Sequence, residues 1–117
     1  MTTVVNVKVK HIRPTFDNLK EWEKEEQHEY IGRGGVVFIS GERYPKKNSK
    51  WHNPFKIGKN GLTREQVLVE YEKHLRKMIE DPETKEEFLT LKNKTLGCWC
   101  HPDKCHGDVI KEVLEEI

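Results

Sequence analysis

All three cysteines and two of the six histidines lie in one short segment, residues 96–108, which reads LGCWCHPDKCHGD. Thiol and imidazole groups act as nucleophiles, general bases and zinc ligands. The alternation around the first two cysteines predicts a strand, and the polar turn that follows leads into an amphipathic helix. Three chemical interpretations of this junction remain open on the sequence alone.

The first interpretation is a zinc site. Its ligands would come from Cys98, Cys100 and Cys105, with either His106 or His101 as the fourth. Thiolate sulfur and imidazole nitrogen suit zinc. The spacing C-x-C-x4-C-H differs from the paired knuckles of common zinc modules, so zinc is a candidate cofactor and the cofactor is otherwise unknown.

The second interpretation is a reactive thiolate. A cysteine at a helix N-terminus has a lowered pKa, which would favour Cys105, or its neighbour Cys100, as a nucleophile. His106 would serve as the base, and Asp108 would orient that histidine. The protein would then be an enzyme, a nucleotide-directed transferase or hydrolase.

The third interpretation is structural. Cysteine is among the most buried residue types, and Cys98 is the cysteine most expected to be core. His106 would then only begin the helix and bond to backbone. The structural interpretation explains single residues better than it explains the whole cluster, because small core residues do not need two histidines beside them.

The elements that must position this junction alternate between strands and helices. Period-2 and period-3.6 patterns predict strands at 3–9, 30–32, 36–40 and 95–100 and helices at 17–28, 63–81, 83–92 and 103–117. Thr63 and Gln66 have the spacing of a capping box at the start of the clearest helix. The pattern predicts one α/β domain over residues 1–117, with a small, mostly parallel sheet covered by helices in a Rossmann-like three-layer arrangement.

Charge is unevenly distributed although the formal net charge is only +1. Every charged residue from position 43 to position 64 is basic, whereas positions 17–29 are rich in Asp and Glu. The basic stretch carries Trp51, Asn53 and Phe55 between its lysines. Aromatic rings for stacking and cations for phosphate are typical of nucleotide and nucleic-acid sites. The alternative is a solvated lysine-rich loop.

These patterns predict a cleft with the Cys/His junction on one wall. Ligands bind at the carboxyl ends of strands in open α/β sheets, beside helix N-termini that attract anions. We expect a phosphate-bearing ligand, a nucleotide or nucleic acid, to contact four residues across the cleft: Arg33, Trp51, Asn53 and Arg64. The alternative is a structural or interaction protein with a stabilising zinc. Three aromatic residues expected to be exposed would also suit a homodimer interface: Trp22, Tyr44 and Trp51.

The chain shows no apolar run near the ~18 residues that a membrane span requires, and its N-terminus lacks a signal-peptide stretch. An odd number of clustered cysteines is typical of a reducing compartment. We therefore expect a soluble intracellular protein without a membrane partner.

Several motifs together resemble a family of domains of unknown function that occurs in bacteria, phages and large DNA viruses. They are YIGR at 30–33, WHNPF at 51–55, Gly61 with Arg64 and Tyr71, and GCWC…CHGD at 97–108. The valine-rich start and lysine-rich middle are similar to versions in large DNA viruses of amoebae. A viral protein of this kind would lie in the host cytoplasm or nucleus, or be a virion-packaged structural or interaction protein. The resemblance implies a compact α/β fold and no established activity. Two features depart from the family pattern: His52 replaces a usual glycine, and residues 34–48 look like an inserted hairpin.

Overall fold

A parallel three-stranded sheet organises the fold in the computed structural model, which describes residues 2–58, 61–100 and 103–117. The strands in this part of the chain are β1 (Thr3–Asn6), β2 (His28–Tyr30), β3 (Val37–Ile39), β4 (Glu42–Tyr44) and β5 (Thr95–Cys98). The helices are α1 (Val9–Ile12), α2 (Leu19–Glu23), α3 (Arg64–Met78), α4 (Pro82–Leu89) and α5 (His106–Glu116). The sheet order is β1-β5-β2, and β3 and β4 form a separate antiparallel hairpin.

The central strand β5 pairs in parallel with both neighbours, so that Thr95 lies opposite Thr3 on one side and His28 on the other. All three strands therefore end at the same edge of the sheet. The predicted fold class, an α/β domain with a small, mostly parallel sheet, is confirmed.

Alternating side chains build a core on each face of the sheet. Val4, Leu96 and Cys98 pack on the face covered by α3, α4 and α5. Val7 and Tyr30 pack on the other face with α1 and α2, around the buried ring of Trp22. Because successive residues of a strand point to opposite faces, three short strands suffice to support two helical layers.

Glycines in the GCWC and CHGD motifs permit close packing of these layers. A Cβ at Gly97 would lie 2.6 Å from Val7 Cγ1 and 2.7 Å from Trp22 Cη2, inside contact distance. A Cβ at Gly107 would lie 2.9 Å from Ile31 Cδ1. These two motif glycines therefore let α2 and α5 approach the sheet on its opposite faces.

Helix α3 begins as the sequence predicts. Gln66 N–H donates to Thr63 Oγ1 at 3.2 Å, and Thr63 N–H donates to Gln66 Oε1 at 2.9 Å, which completes the capping box. Helix α4 begins at Pro82 with Asp81 as its N-cap, whose carboxylate accepts the Thr84 N–H.

Several predicted boundaries were wrong. The strand predicted over 3–9 ends at Asn6, and Val9, which is 43% exposed, begins α1 instead. The helix predicted over 17–28 is only the five-residue α2. No strand was predicted between residues 41 and 61, but β4 lies there and pairs with β3, which forms the hairpin expected within residues 34–48.

Two aromatic residues expected on the surface are core residues. Trp22 is 3% exposed and Trp51 is 5% exposed, so neither ring is available for a homodimer interface. Within the described ranges, no helix combines the length and apolar character needed to cross a membrane.

Candidate functional site

A cavity of about 300 Å³ opens at the carboxyl edge of the sheet, beyond the ends of β2 and β5. Gly32 and Arg33 follow β2, Trp99 and Cys100 follow β5, and α5 begins at His106 on the same side. Parallel strands bring these segments together, and this edge is where open α/β sheets bind ligands. We call this space the first cavity.

Most of the predicted site residues meet in the first cavity. Its lining includes Arg33, Asn53, Arg64, Cys100, Cys105 and His106. Three further lining residues were not predicted: Lys56, Ile57 and Lys104. Only position could have indicated the two lysines, since Lys56 directly follows the WHNPF motif and Lys104 directly precedes CHGD.

Trp51 is placed differently from the prediction. Its ring packs in the core against Phe88, with the ring centroids 5.5 Å apart. Its carbonyl accepts a hydrogen bond from Tyr71 Oη at 2.7 Å. With 5% of its surface exposed, Trp51 cannot serve as a stacking surface in the cleft. Phe55, which is partly exposed, lines the first cavity instead.

Arg33 links two motif segments through its guanidinium group. Its Nε and Nη2 donate to the Asn53 carbonyl at 3.2 and 2.7 Å, and Nη2 also lies 3.4 Å from the Phe55 carbonyl. The Asn53 side chain accepts the Phe55 N–H at 2.9 Å and so shapes the same turn. The positive charge of Arg33 is therefore held in a fixed position at the wall of the cavity.

A second chain of hydrogen bonds fixes Trp99. Its Nε1–H donates to Tyr30 Oη at 2.7 Å, and Tyr30 Oη–H donates to the Arg33 carbonyl at 2.7 Å. Burial raises the pKa of Tyr30 to about 12, so the hydroxyl keeps its proton and can donate and accept at once. The YIGR, WHNPF and GCWC motifs are thus joined around one space.

Cations dominate the charge of the first cavity. Four basic side chains line it, namely Arg33, Lys56, Arg64 and Lys104, and the described lining contains no Asp or Glu. Arg64 Nη1 donates to the Lys104 carbonyl at 3.0 Å, which ties the start of α3 to the turn before α5. This arrangement attracts an anion.

The thiols do not match the reactive-thiolate interpretation at Cys105. Cys105 is 3% exposed, and its Sγ–H donates to Cys98 Sγ at 3.2 Å. This hydrogen bond, together with burial, raises the pKa of Cys105, which overcomes the lowering expected at a helix start. Cys98 is 1% exposed, which confirms it as core, whereas Cys100 is exposed.

His106 is oriented by backbone rather than by Asp108. Its Nε2 lies 2.7 Å from the Ile31 carbonyl, so Nε2 carries the hydrogen atom and Nδ1 remains an acceptor. Burial lowers the pKa of His106, which keeps the ring neutral near pH 7. Asp108 instead caps α5, because its Oδ2 accepts the Cys105 N–H at 2.9 Å. The predicted role of Asp108 in orienting the histidine is therefore wrong.

The described residues contain no group of three or more His, Cys, Asp or Glu side chains arranged to hold a metal ion. Among the predicted ligands, Cys105 donates to Cys98 in the core, Cys100 is exposed, and His106 Nε2 lies against the Ile31 carbonyl. His101, the alternative zinc ligand, lies outside the described residues.

Fold and site together define an α/β domain with a basic cleft at the carboxyl edge of a short parallel sheet. The family described as "Domain of unknown function (DUF4326)" matches residues 16–116, and the chain belongs to this family.

Two viral proteins are similar to the chain. One is the "Uncharacterized 12.4 kDa protein in nrdA-td intergenic region" of Enterobacteria phage T4, 32% identical over 62 residues, which are 52% of this chain and 57% of that protein. The other is "Uncharacterized protein R718" of Acanthamoeba polyphaga mimivirus, 34% identical over 96 residues, which are 75% of this chain and 67% of that protein. The chain thus spans little more than half of the phage protein. No solved structure matches the chain.

Proposed function

We propose that the protein binds a phosphate-bearing ligand, a nucleotide unit, in the first cavity. The proposal rests on the sign of the charges that line this cavity. The chain has 21 basic and 20 acidic residues, yet the described lining of this cavity has four cations and no carboxylate. Such segregation in a nearly neutral protein favours an anionic ligand.

The rest of the lining suits an aromatic base. Apolar side chains, among them Phe55, Ile57, Leu68 and Trp99, contribute most of the surface, and the volume of about 300 Å³ lies at the lower end of the range for small-molecule sites. A mononucleotide combines a flat apolar ring with a phosphate, which matches a cavity with apolar walls and a basic rim.

The start of α5 is a favourable place for the phosphate group of the ligand. Cys105 and His106, the N-cap and first residue of this 11-residue helix, line the cavity that Arg33 and Arg64 also line. The dipole of α5 favours an anion at this end of the cavity, and the two guanidinium groups can donate charge-assisted hydrogen bonds to it.

A catalytic use of the same cavity favours Cys100 over Cys105, the two cysteines predicted as candidate nucleophiles. Cys105 is buried and protonated, whereas Cys100 is exposed and also lines the cavity. A nucleotide-directed transferase or hydrolase would therefore use Cys100 as nucleophile and the neutral His106, through Nδ1, as base. This is the second candidate function.

Titration with fluorescent mononucleotides at low salt tests the proposal. Arg64→Gln is expected to weaken binding roughly tenfold, because it removes one charged hydrogen-bond donor. Arg76→Gln is the matched control: it makes the same change on the same helix, about 18 Å away along the axis, where Arg76 pairs with Glu72 and Glu116. Absence of binding, or equal losses in the two variants, would overturn the proposal.

A further inference from the structure

A second cavity adjoins the first at Trp99. This second cavity has a volume of about 630 Å³, and Val36 and Trp99 line both spaces. Trp99 directly follows the central strand β5, so it stands between the two cavities at the middle of the sheet edge. The two cavities therefore adjoin at these shared walls, and we call them together the edge groove.

The edge groove follows the carboxyl ends of all three parallel strands. Gly32 and Arg33 follow β2 in the first cavity, and Val7, Lys8 and Val9 follow β1 in the second. The order β1-β5-β2 therefore places the groove across the full width of the sheet. A ligand that fills it must be longer than a single nucleotide.

Every charged residue among the described lining of the edge groove is basic. Lys8 and Arg13 in the second cavity extend the set formed by Arg33, Lys56, Arg64 and Lys104 in the first. Lys104 also contacts Glu112 at 3.9 Å, but both side chains are exposed and such a pair is weak. A row of cations without carboxylates fits a row of phosphates.

Exposed apolar side chains are concentrated in the same groove. Of the six large exposed hydrophobic residues in the described chain, four line it: Val9, Val36, Phe38 and Ile57. Phe38 on the β3–β4 hairpin is 66% exposed, and the guanidinium carbon of Arg43 lies 4.8 Å from its ring centroid. An exposed ring beside a cation is the usual platform for stacking an unpaired base.

We infer that the natural ligand of the edge groove is single-stranded nucleic acid. This inference rests on the proposed function and names its ligand class. One nucleotide occupies the first cavity, the backbone passes Trp99 along the basic side chains, and a further base stacks on Phe38. A duplex would hide the base faces that these apolar side chains are placed to contact.

Fluorescence anisotropy with labelled oligonucleotides of increasing length tests the inference, with DNA and RNA of one sequence as separate arms. We expect affinity to rise at least tenfold from one nucleotide to about four to six, and then to level off in at least one arm. The logarithm of affinity is expected to fall with the logarithm of salt concentration, with a slope of about −0.7 per phosphate contacted.

Phe38→Ala distinguishes the two halves of the groove. It is expected to weaken oligonucleotide binding at least about fivefold and to leave mononucleotide binding unchanged. Val69→Ala, which shortens a side chain that is 54% exposed outside the groove, is the matched control and is expected to change neither affinity. Unaltered circular dichroism would show that both variants are folded.

The outcomes separate this inference from the proposed function. Mononucleotide binding without a gain from chain length would overturn the inference and leave the proposed function intact. Absence of all binding would overturn both. Equal affinity for a duplex, or competition by polyglutamate of matched charge, would show only an attraction between opposite charges and would also overturn the inference.

Discussion

Trp99 and Tyr30 meet through a hydrogen bond of 2.7 Å between the indole Nε1–H and the phenol oxygen. The same hydroxyl donates to the Arg33 carbonyl at 2.7 Å. Because Arg33 in turn holds the carbonyl of Asn53, one hydroxyl group couples the wall between the two cavities to the basic wall of the first. The geometry of the edge groove therefore depends on Tyr30, which is not among its described lining residues.

Tyr30→Phe is expected to lower the free energy of unfolding by about 1–3 kcal/mol, because it leaves the Trp99 N–H and the Arg33 carbonyl without their partner. Nucleotide binding should weaken several-fold as the two walls loosen. Urea denaturation and nucleotide titration measure these effects. Tyr44→Phe, which removes a hydrogen bond from Tyr44 to Glu23, is the control and should leave nucleotide binding unchanged. Wild-type stability in Tyr30→Phe would contradict the prediction.

Alkylation should distinguish the three thiols. Cys100 is exposed, whereas Cys98 and Cys105 are buried, and hydrogen bonding with burial raises the pKa of Cys105. We expect one thiol to react in the native protein at neutral pH and all three to react after unfolding. Mass spectrometry with iodoacetamide counts them, and Cys100→Ser should abolish the native reaction. Rapid modification of Cys105 in the folded protein would restore it as a candidate nucleophile.

His106 should make stability depend on pH. Burial lowers its pKa in the folded state below the ordinary value of 6.5, so the unfolded chain takes up a proton first as pH falls. This contribution to stability is complete above about pH 6.5 and is lost as pH falls toward the folded-state pKa. Urea denaturation between about pH 8 and pH 5 measures the loss.

His106→Gln is the control for this pH dependence. Its side-chain amide can still donate to the Ile31 carbonyl but does not titrate in this range. The difference in stability between wild type and variant should therefore change with pH in favour of the variant at low pH. Parallel pH profiles would assign the dependence to other groups.

Glu23 should destabilise the folded protein when it is charged. Burial raises its pKa, and the nearby charge of Glu29 adds to the effect, although the hydrogen bond from Tyr44 opposes it. The folded state therefore favours the protonated form, and stability falls as pH rises through the folded-state pKa.

Glu23→Gln keeps an oxygen that can accept from Tyr44 but removes the charge. It should raise stability near pH 7.5 by at most about 1 kcal/mol, because Glu23 is only partly buried and solvent screens its charge. The gain should vanish near pH 4, where both side chains are neutral. Thermal denaturation at the two pH values measures it, and a loss of stability at pH 7.5 would refute the prediction.

Local signals in the sequence predicted the parts of the fold that depend on nearby residues. The capping box of Thr63 and Gln66 marks the start of α3 because both partners lie within one helical turn. The approach of Arg33 to the cysteine–histidine junction was also predictable, since both follow parallel strands that end at one edge.

The errors arose where distant contacts decide the structure. Trp51 lies among lysines in sequence, yet packing against Phe88 buries it. Val9 continues a valine alternation, but β5 provides pairing only as far as Asn6. The pairing of Cys105 with Cys98 raises a thiol pKa that the helix start alone would lower, and no pattern of spacing indicates this contact.

The position of β5 in the sheet constrains the order of folding. β1 and β2 do not pair with each other, and each pairs with β5, which lies far along the chain. During synthesis, neither β1 nor β2 can complete its parallel ladder until β5, which ends at Cys98, has left the ribosome. Because contacts between distant residues slow folding, we expect the sheet to assemble late, as a single cooperative step after most of the chain has been made.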